Sequence, residues 1–324
     1  MKKIILSGMR PTGRLHIGHY FGALKNWSAL QDEYECFYMS ADWHALTSDY
    51  ADTSHIDENS IEMIADWITA GIDPQKSVLF KQSKVAAHSE LFLILSMITP
   101  LGWLYRCPTY KEQQNEITNK DLSGYGFLGY PVLQAADILL YKADTVPVGE
   151  DQLAHIEFTR ELVRRFNNFY GNVLVEPQAK LTKTARVPGI DGRKMSKSYG
   201  NSILLGEDED SLKKKVWDMF TDPQKIKKDD IGHPEGCVVF AFYEIFNSDS
   251  LKKKSECKAG SIGCMSCKKE VFEYLIEFMK PLSVKRKEIM ADKGYLEKVL
   301  NEGNKKANEV SQETMRQIRK ALKF

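Results

Sequence analysis

No run of eighteen consecutive apolar residues occurs in this chain, which excludes a membrane-spanning helix of ordinary length. Behind Lys2-Lys3 the apolar run is only Ile4-Ile5-Leu6 before Ser7-Gly8, too short for the core of a secretory signal. A buried first strand in a cytoplasmic protein with no membrane partner is the expectation. Internal repeats and low-complexity tracts are missing as well. Excess charge of one sign is also absent overall, with 45 Lys+Arg against 44 Asp+Glu. Hydrophobic residues at 43% and charged residues at 27% are ordinary for a globular chain, so disorder is not expected as its main state.

The near-neutral total hides an asymmetry. Residues 251–324 carry 18 Lys+Arg against 10 Asp+Glu, leaving 27 against 34 for the rest. A basic segment on a mildly acidic body suits a module that handles a polyanion, although a solvated helical surface is the plainer reading. The 324 residues allow one large α/β domain and a smaller one.

Ile4-Ile5-Leu6, Cys36-Phe37-Tyr38-Met39-Ser40, Ser77-Val78-Leu79-Phe80 and Thr145-Val146-Pro147-Val148-Gly149 read as short strands. Between them, residues 58–70 and 155–170 show apolar positions at helical spacing. Strands alternating with helices predict a doubly wound, Rossmann-like parallel sheet covered on both faces. Beyond about residue 200 the rhythm is lost: 212–220, 238–246, 271–279 and 296–322 read as helices, with strand signals nearly absent. A catalytic α/β domain over 1–199 and a smaller all-helical domain over 200–324 are expected, the boundary falling near the Gly/Lys/Ser-rich stretch 189–201. The last helix is expected to be able to pack back on the first domain.

Two short motifs carry chemistry. In Pro11-Thr12-Gly13-Arg14-Leu15-His16-Ile17-Gly18-His19, glycines allow close backbone approach to a ligand, and two imidazoles stand one helical turn apart. At a helix N-terminus they would sit where backbone N–H groups favour anions. A chance H-x-G-H has a probability of about one per cent at ordinary residue frequencies, so two surface histidines remain the plain reading of this motif alone. The second motif, Lys194-Met195-Ser196-Lys197-Ser198, puts two ammonium groups on a loop, a fit for a mobile clamp on phosphates. Alone it would read as a solvated basic loop.

Together, and in this order, the motifs resemble the HIGH and KMSKS signatures of class I aminoacyl-tRNA synthetases. Further stretches resemble the tryptophanyl members: Ser7-Gly8-Met9-Arg10, Asp42-Trp43-His44-Ala45-Leu46-Thr47, Tyr130–Leu139 and Val146–Arg160. The likeness is close over residues 1–200 and looser beyond. It implies activation of L-tryptophan with ATP and Mg2+ to an adenylate, then transfer to tRNA(Trp), by a homodimer that does not act on DNA. By position, His16, His19, Lys194 and Lys197 would be catalytic. The resemblance also gives ATP contacts to Arg10, Pro11, Thr12, Gly18, His19, Gly149, Glu150, Asp151, Val187, Lys194, Met195, Ser196, Lys197 and Ser198. Asp137 would accept the indole N–H, since that N–H is the only polar group of the ring. A phenol is also a donor, so Asp137 alone does not exclude tyrosine, and tyrosyl-tRNA synthetases share a similar Q-x-x-D pattern. The family often has Asn where this chain has His19, and a neutral residue where it has Arg10.

Of six cysteines, Cys36 and Cys107 are isolated and expected in the core. Cys237, Cys257, Cys264 and Cys267 form C-x19-C-x6-C-x2-C, the tight final pair being typical of four-thiolate metal sites. Spacing alone favours zinc. Gly236-Cys237 with Gly263-Cys264-Met265-Ser266-Cys267-Lys268 resembles a subset of tryptophanyl enzymes that carry a [4Fe–4S] cluster, which turns the expectation to that cluster. Two other classes compete: a different nucleotidyl transferase on the same sheet, and a catalytically inactive paralogue that binds RNA.

Overall fold

Five short strands build one parallel sheet: β1 (Ile4–Met9), β2 (Glu35–Ser40), β3 (Ser77–Lys81), β4 (Thr145–Val148) and β5 (Gln178–Leu181). The computed structural model describes residues 2–108, 110–111, 120–181, 187–247 and 249–324. Strand order is β3-β2-β1-β4-β5, with every pairing parallel. Parallel neighbours need crossovers, and helices supply them. In β2 the residues from Cys36 to Ser40 are all buried, because helices cover both faces of a central strand. The sheet is the expected Rossmann-like one, accompanied by a helical C-terminal region.

Order reverses between β1 and β4. In doubly wound sheets, ligands bind outside the carboxyl ends of strands at that switch point. The first long connection begins with His16 as N-cap of α1 (Ile17–His19), followed by a π-helical turn at Tyr20–Leu24 and by α2 (Lys25–Leu30). After these come α3 (Asp42–Asp49), α4 (Ile56–Thr69), α5 (Ala87–Ile98), α6 (Leu101–Tyr105), α7 (Tyr125–Leu128), α8 (Tyr130–Leu140) and α9 (Leu153–Tyr170). The C-terminal helices are α10 (Glu209–Asp218), α11 (Val238–Phe246), α12 (Ser250–Lys258), α13 (Cys264–Ala291) and α14 (Lys293–Leu322). None of the described helices is long and apolar enough to cross a membrane.

By internal contacts the chain forms two units. One comprises Met1–Gly13, Trp27–Lys183 and Asp292–Phe324; the other comprises Arg14–Asn26 and Thr184–Ala291. The sheet and α14 belong to the first unit. There, Gly303 of α14 lies so close to edge strand β3 that a Cβ would overlap the Leu79 carbonyl oxygen, and Asn304 Oδ1 accepts from the Lys81 N–H at 3.0 Å. That contact covers a strand edge otherwise open to wrong pairing. The second unit has its own core, built around Ile17, Met195, Val216, Phe242 and Leu275. Strand β5 escapes sequence reading because Gln178-Ala179-Lys180-Leu181 is mostly exposed and lacks apolar alternation; pairing to β4 makes it a strand.

Candidate active site

A cavity of about 340 Å³ opens in the first unit at the carboxyl ends of β1, β2 and β4. Leu6, Met39, Phe127, Ile138, Val146 and Val148 line its apolar part, while His44, Gln134, Asp137 and His155 are among its polar groups. Apolar walls with few polar groups suit a flat aromatic ligand held by one or two hydrogen bonds.

Asp137 is 2% exposed. It lies inside α8, so it is neither a cap nor a solvated acid. A buried carboxylate is tolerated only with donors around it. Three are present: His44 Nε2 at 2.8 Å on Oδ2, and Gln82 Nε2 at 2.8 Å and His88 Nδ1 at 2.6 Å on Oδ1. Burial works to raise its pKa, yet the hydrogen bonds and charge interactions with His44 and His88 win and hold it below the usual carboxylate value. The group is therefore an ionised acceptor facing an apolar cavity. His44 sits in α3, within a segment noted for its resemblance, while Gln82 and His88 were not singled out from sequence.

His155, also lining the cavity, is 2% exposed, and burial pushes its pKa down to about 4. Arg10 lines the same cavity, pairs with Asp49 at 3.3 Å and donates to the Ser48 hydroxyl. Gly149 lies at the end of β4, where a Cβ would stand 2.6 Å from Asp151 Oδ1, so the glycine keeps this rim open. Glu150 and Asp151 follow it, both exposed, as is Thr12, whereas Pro11 is buried.

In the second unit the two motifs meet. The His16 and His19 rings lie 3.7 Å apart between centroids, and the His16 backbone N–H donates to His19 Nδ1 at 3.2 Å. That bond leaves the proton of a neutral His19 on Nε2. Lys197 donates to the Arg14 carbonyl at 2.9 Å, close enough for its charge to act on both rings. Burial, reinforced by Lys197, pushes the His16 pKa down to about 4. Burial, His16 and Lys197 push that of His19 to about 3. Both imidazoles are neutral hydrogen-bonding groups beside an ammonium, not a second pair of cations. His16 Nδ1 is buried, and among the described residues it has no hydrogen-bond partner. Gly18 stands beside it, a Cβ there falling 2.9 Å from that same nitrogen.

Lys194 is exposed on the same loop, Met195 is buried, Ser196 and Lys197 are half-buried, and Ser198 is exposed. Sequence reasoning missed the residue that shapes this loop. Asn201, 2% exposed, accepts from the Ser196 N–H at 2.8 Å and donates to the Lys194 carbonyl at 3.1 Å and to Asp191 at 2.7 Å. Gly189 faces it where a Cβ would overlap the Asn201 side chain. Val187 buries its side chain in the core of this unit.

The four clustered cysteines line one small cavity in the second unit, with Lys225 and Lys253. Cys237 precedes α11, Cys257 lies in the last turn of α12, and Cys264 and Cys267 lie in the first turn of α13. Burial raises the thiol pKa of Cys237 and Cys257, and that of Cys267 to about 12. Among the described residues no group of three or more His, Cys, Asp or Glu is set to hold a metal ion. Cys36 and Cys107 are buried, as expected.

Residues 2–280 match the family of class I tRNA synthetases for W and Y. The chain belongs to that family, and its fold is that of a class I aminoacyl-tRNA ligase. The tryptophan–tRNA ligase of Thermotoga maritima is 49% identical over 98% of each chain. That of Aquifex aeolicus is 44% identical over 98% of this chain and 99% of its own. A crystal structure of tryptophanyl-tRNA synthetase from Campylobacter jejuni, complexed with ADP and tryptophan, superposes with a TM-score of 0.89 at 34% identity, covering 99% of this chain and all of the other.

Proposed function

We propose that this chain is a tryptophan–tRNA ligase, which joins L-tryptophan to ATP as the adenylate, releases pyrophosphate and transfers the amino acid to tRNA(Trp) in the cytoplasm. The observation that carries the amino-acid assignment is a buried, ionised Asp137 facing an apolar cavity, in a chain whose relatives are tryptophan–tRNA ligases. An indole offers one donor on an apolar ring, which matches one acceptor in such a wall. A pyrophosphate-exchange assay run separately with tryptophan and with tyrosine tests the reading. Exchange with tryptophan alone is expected; exchange with tyrosine alone, or with neither, overturns it.

In the first step a tryptophan carboxylate oxygen bonds to the α-phosphorus of magnesium-bound ATP, and the bond to the pyrophosphate oxygen breaks. No covalent enzyme intermediate is needed, so positioning and charge stabilisation carry the catalysis. His16 and His19, neutral, donate to the phosphate oxygens; Lys197 and Lys194 neutralise the departing pyrophosphate. Gly18 and Met195, Ser196 and Ser198 shape the nucleotide's surroundings, Val187 meets the adenine through its backbone, and Arg10, Pro11, Thr12, Gly149, Glu150 and Asp151 complete the assigned ATP contacts. Residues 1–199 carry the catalysis and 200–324 the anticodon contacts, with the last helix packed on the catalytic part.

Two finer readings go with this function. The exposed apolar side chains Leu93, Met97, Leu101 and Tyr105 on α5 and α6 support a homodimer through that face. Light scattering that gives a monomer mass would remove this reading. For the cysteine corner, the four cysteines that line one cavity offer the four thiolates a [4Fe–4S] cluster would need, and the resemblance of their flanking residues favours that cluster over zinc. Cys237, Cys257, Cys264 and Cys267 would hold it and fix local shape for tRNA contact. Iron and sulfide in anaerobically purified protein are expected; colourless protein with zinc would replace the cluster.

A further inference from the structure

Asp137 takes part in more than the cavity wall. Asp137 and Tyr141 stand four residues apart on α8 and its C-cap, hence on one helix face. Both meet His88 of α5: Nδ1 is 2.6 Å from Asp137 Oδ1, and Nε2 is 2.9 Å from the Tyr141 hydroxyl. His88 and Tyr141 are both 0% exposed. Phe80 stacks on the His88 ring at 6.0 Å, and Phe37 packs on Tyr141 at 4.9 Å, so both rings sit in packed surroundings.

We infer that His88 and Tyr141 are a positioning pair, which fixes one tautomer of His88 and through it the carboxylate that reads the amino acid. This inference rests on the reading that Asp137 accepts the indole N–H. An ionised carboxylate only accepts, so the proton of His88 belongs on Nδ1. Nε2 then presents a lone pair, and Tyr141 fills it by donating its hydroxyl proton. Burial, reinforced by the negative charge of Asp137, raises the Tyr141 pKa well above the ordinary phenol value, so the proton stays there to be donated. The opposite tautomer would aim the Nδ1 lone pair at Oδ1.

The count of donors gives the arrangement its purpose. Gln82 and His88 occupy both acceptor positions of Oδ1, and His44 occupies one of the two on Oδ2. Among the described residues no second donor reaches Oδ2, and that position is left for the substrate's N–H. If His88 lets go, the carboxylate can rotate, and the open position no longer has a fixed direction. Because His88 and Tyr141 do not line the cavity, they act through Asp137 and do not touch the substrate.

Nitrogen-15 NMR of the unmodified protein, labelled at histidine, reads the tautomer directly. His88 is expected to be protonated on Nδ1 with an unprotonated Nε2; a proton on Nε2 overturns the proposal. Tyr141→Phe is expected to weaken tryptophan binding about tenfold, equivalent to about 1.4 kcal/mol, while ATP affinity stays within about twofold. The value of kcat at saturating tryptophan should likewise stay within about twofold, since the lost interaction is one of binding. His88→Asn keeps a side-chain N–H for Asp137 and needs no tautomer, so Tyr141→Phe added to it should cost nothing further. Additive losses, or equal losses for tryptophan and ATP with a lowered Tm, mean that the pair is merely structural and sink the proposal. Asp137→Ala runs alongside. If it leaves tryptophan binding unchanged, the reading of Asp137 fails and this inference with it. If it weakens binding while Tyr141→Phe does not, only the inference fails.

Discussion

The carboxylate of Asp137 and the imidazole of His16 are both buried polar groups, and the chain treats them in opposite ways. Around Asp137 three donors are already in place, so the carboxylate is held in one orientation before any ligand arrives. Among the described residues His16 Nδ1 has no hydrogen-bond partner, and the neighbouring Lys197 ammonium donates to the Arg14 carbonyl. A site with one fixed open position discriminates, because a wrong ligand leaves that position unpaired. An unsaturated site beside a cation gains most when a polyanion enters, and most of all when charge develops on it.

The largest separation between the two regions should come from Lys197→Ala. It is expected to lower kcat for pyrophosphate exchange by about 100- to 1,000-fold, the scale for removing one donor to developing charge. Tryptophan affinity should hardly move, and equal losses in both would erase the contrast. Next, Asp137→Ala should weaken tryptophan binding by about 10- to 100-fold, the range for a charge-assisted hydrogen bond. Isothermal titration would show it, with ATP affinity as the control. Asn201→Ala, which removes the side chain bonded to Ser196 and Lys194, should lower kcat by about tenfold through a loosened loop. An unchanged kcat would mean that the loop keeps its shape without Asn201.

The smallest effect concerns pH. His16 and His19 titrate at about 4 and about 3 in the folded chain, against 6.5 ordinarily. Between those values the unfolded chain binds more protons, so their contribution to stability is full above 6.5 and is lost as pH falls toward about 4. Melting curves across that window should show a Tm decline that is shallower in His16→Gln. An identical slope in the variant would place His16 in a wetter, less perturbed setting.

How far the sequence spoke depended on how local each feature is. Strands β1 to β4 showed because apolar runs end at turn residues, whereas β5 is fixed only by its neighbour. Both short motifs were legible as candidates, since each is a continuous segment with its polar groups inside it. The support of Asp137 was not, because His44, Gln82 and His88 lie 93, 55 and 49 positions away. A spacing of four between Asp137 and Tyr141 was the available hint of a shared face. Asn201 after Gly200 reads as an ordinary turn, and nothing in its sequence context announces three hydrogen bonds to the loop before it. The four cysteines were visible as a cluster, but their spacing alone favoured zinc, and only the resemblance turned the expectation to a [4Fe–4S] cluster.

A double-mutant cycle between His19 and Lys197, read as the rate of tryptophan-dependent pyrophosphate exchange, tests most directly whether the two motifs act on one triphosphate. If they do, His19→Ala and Lys197→Ala each slow exchange steeply, and the double variant is little slower than the worse single one. Losses that simply multiply would mean that the two side chains act on separate events, contradicting the shared site.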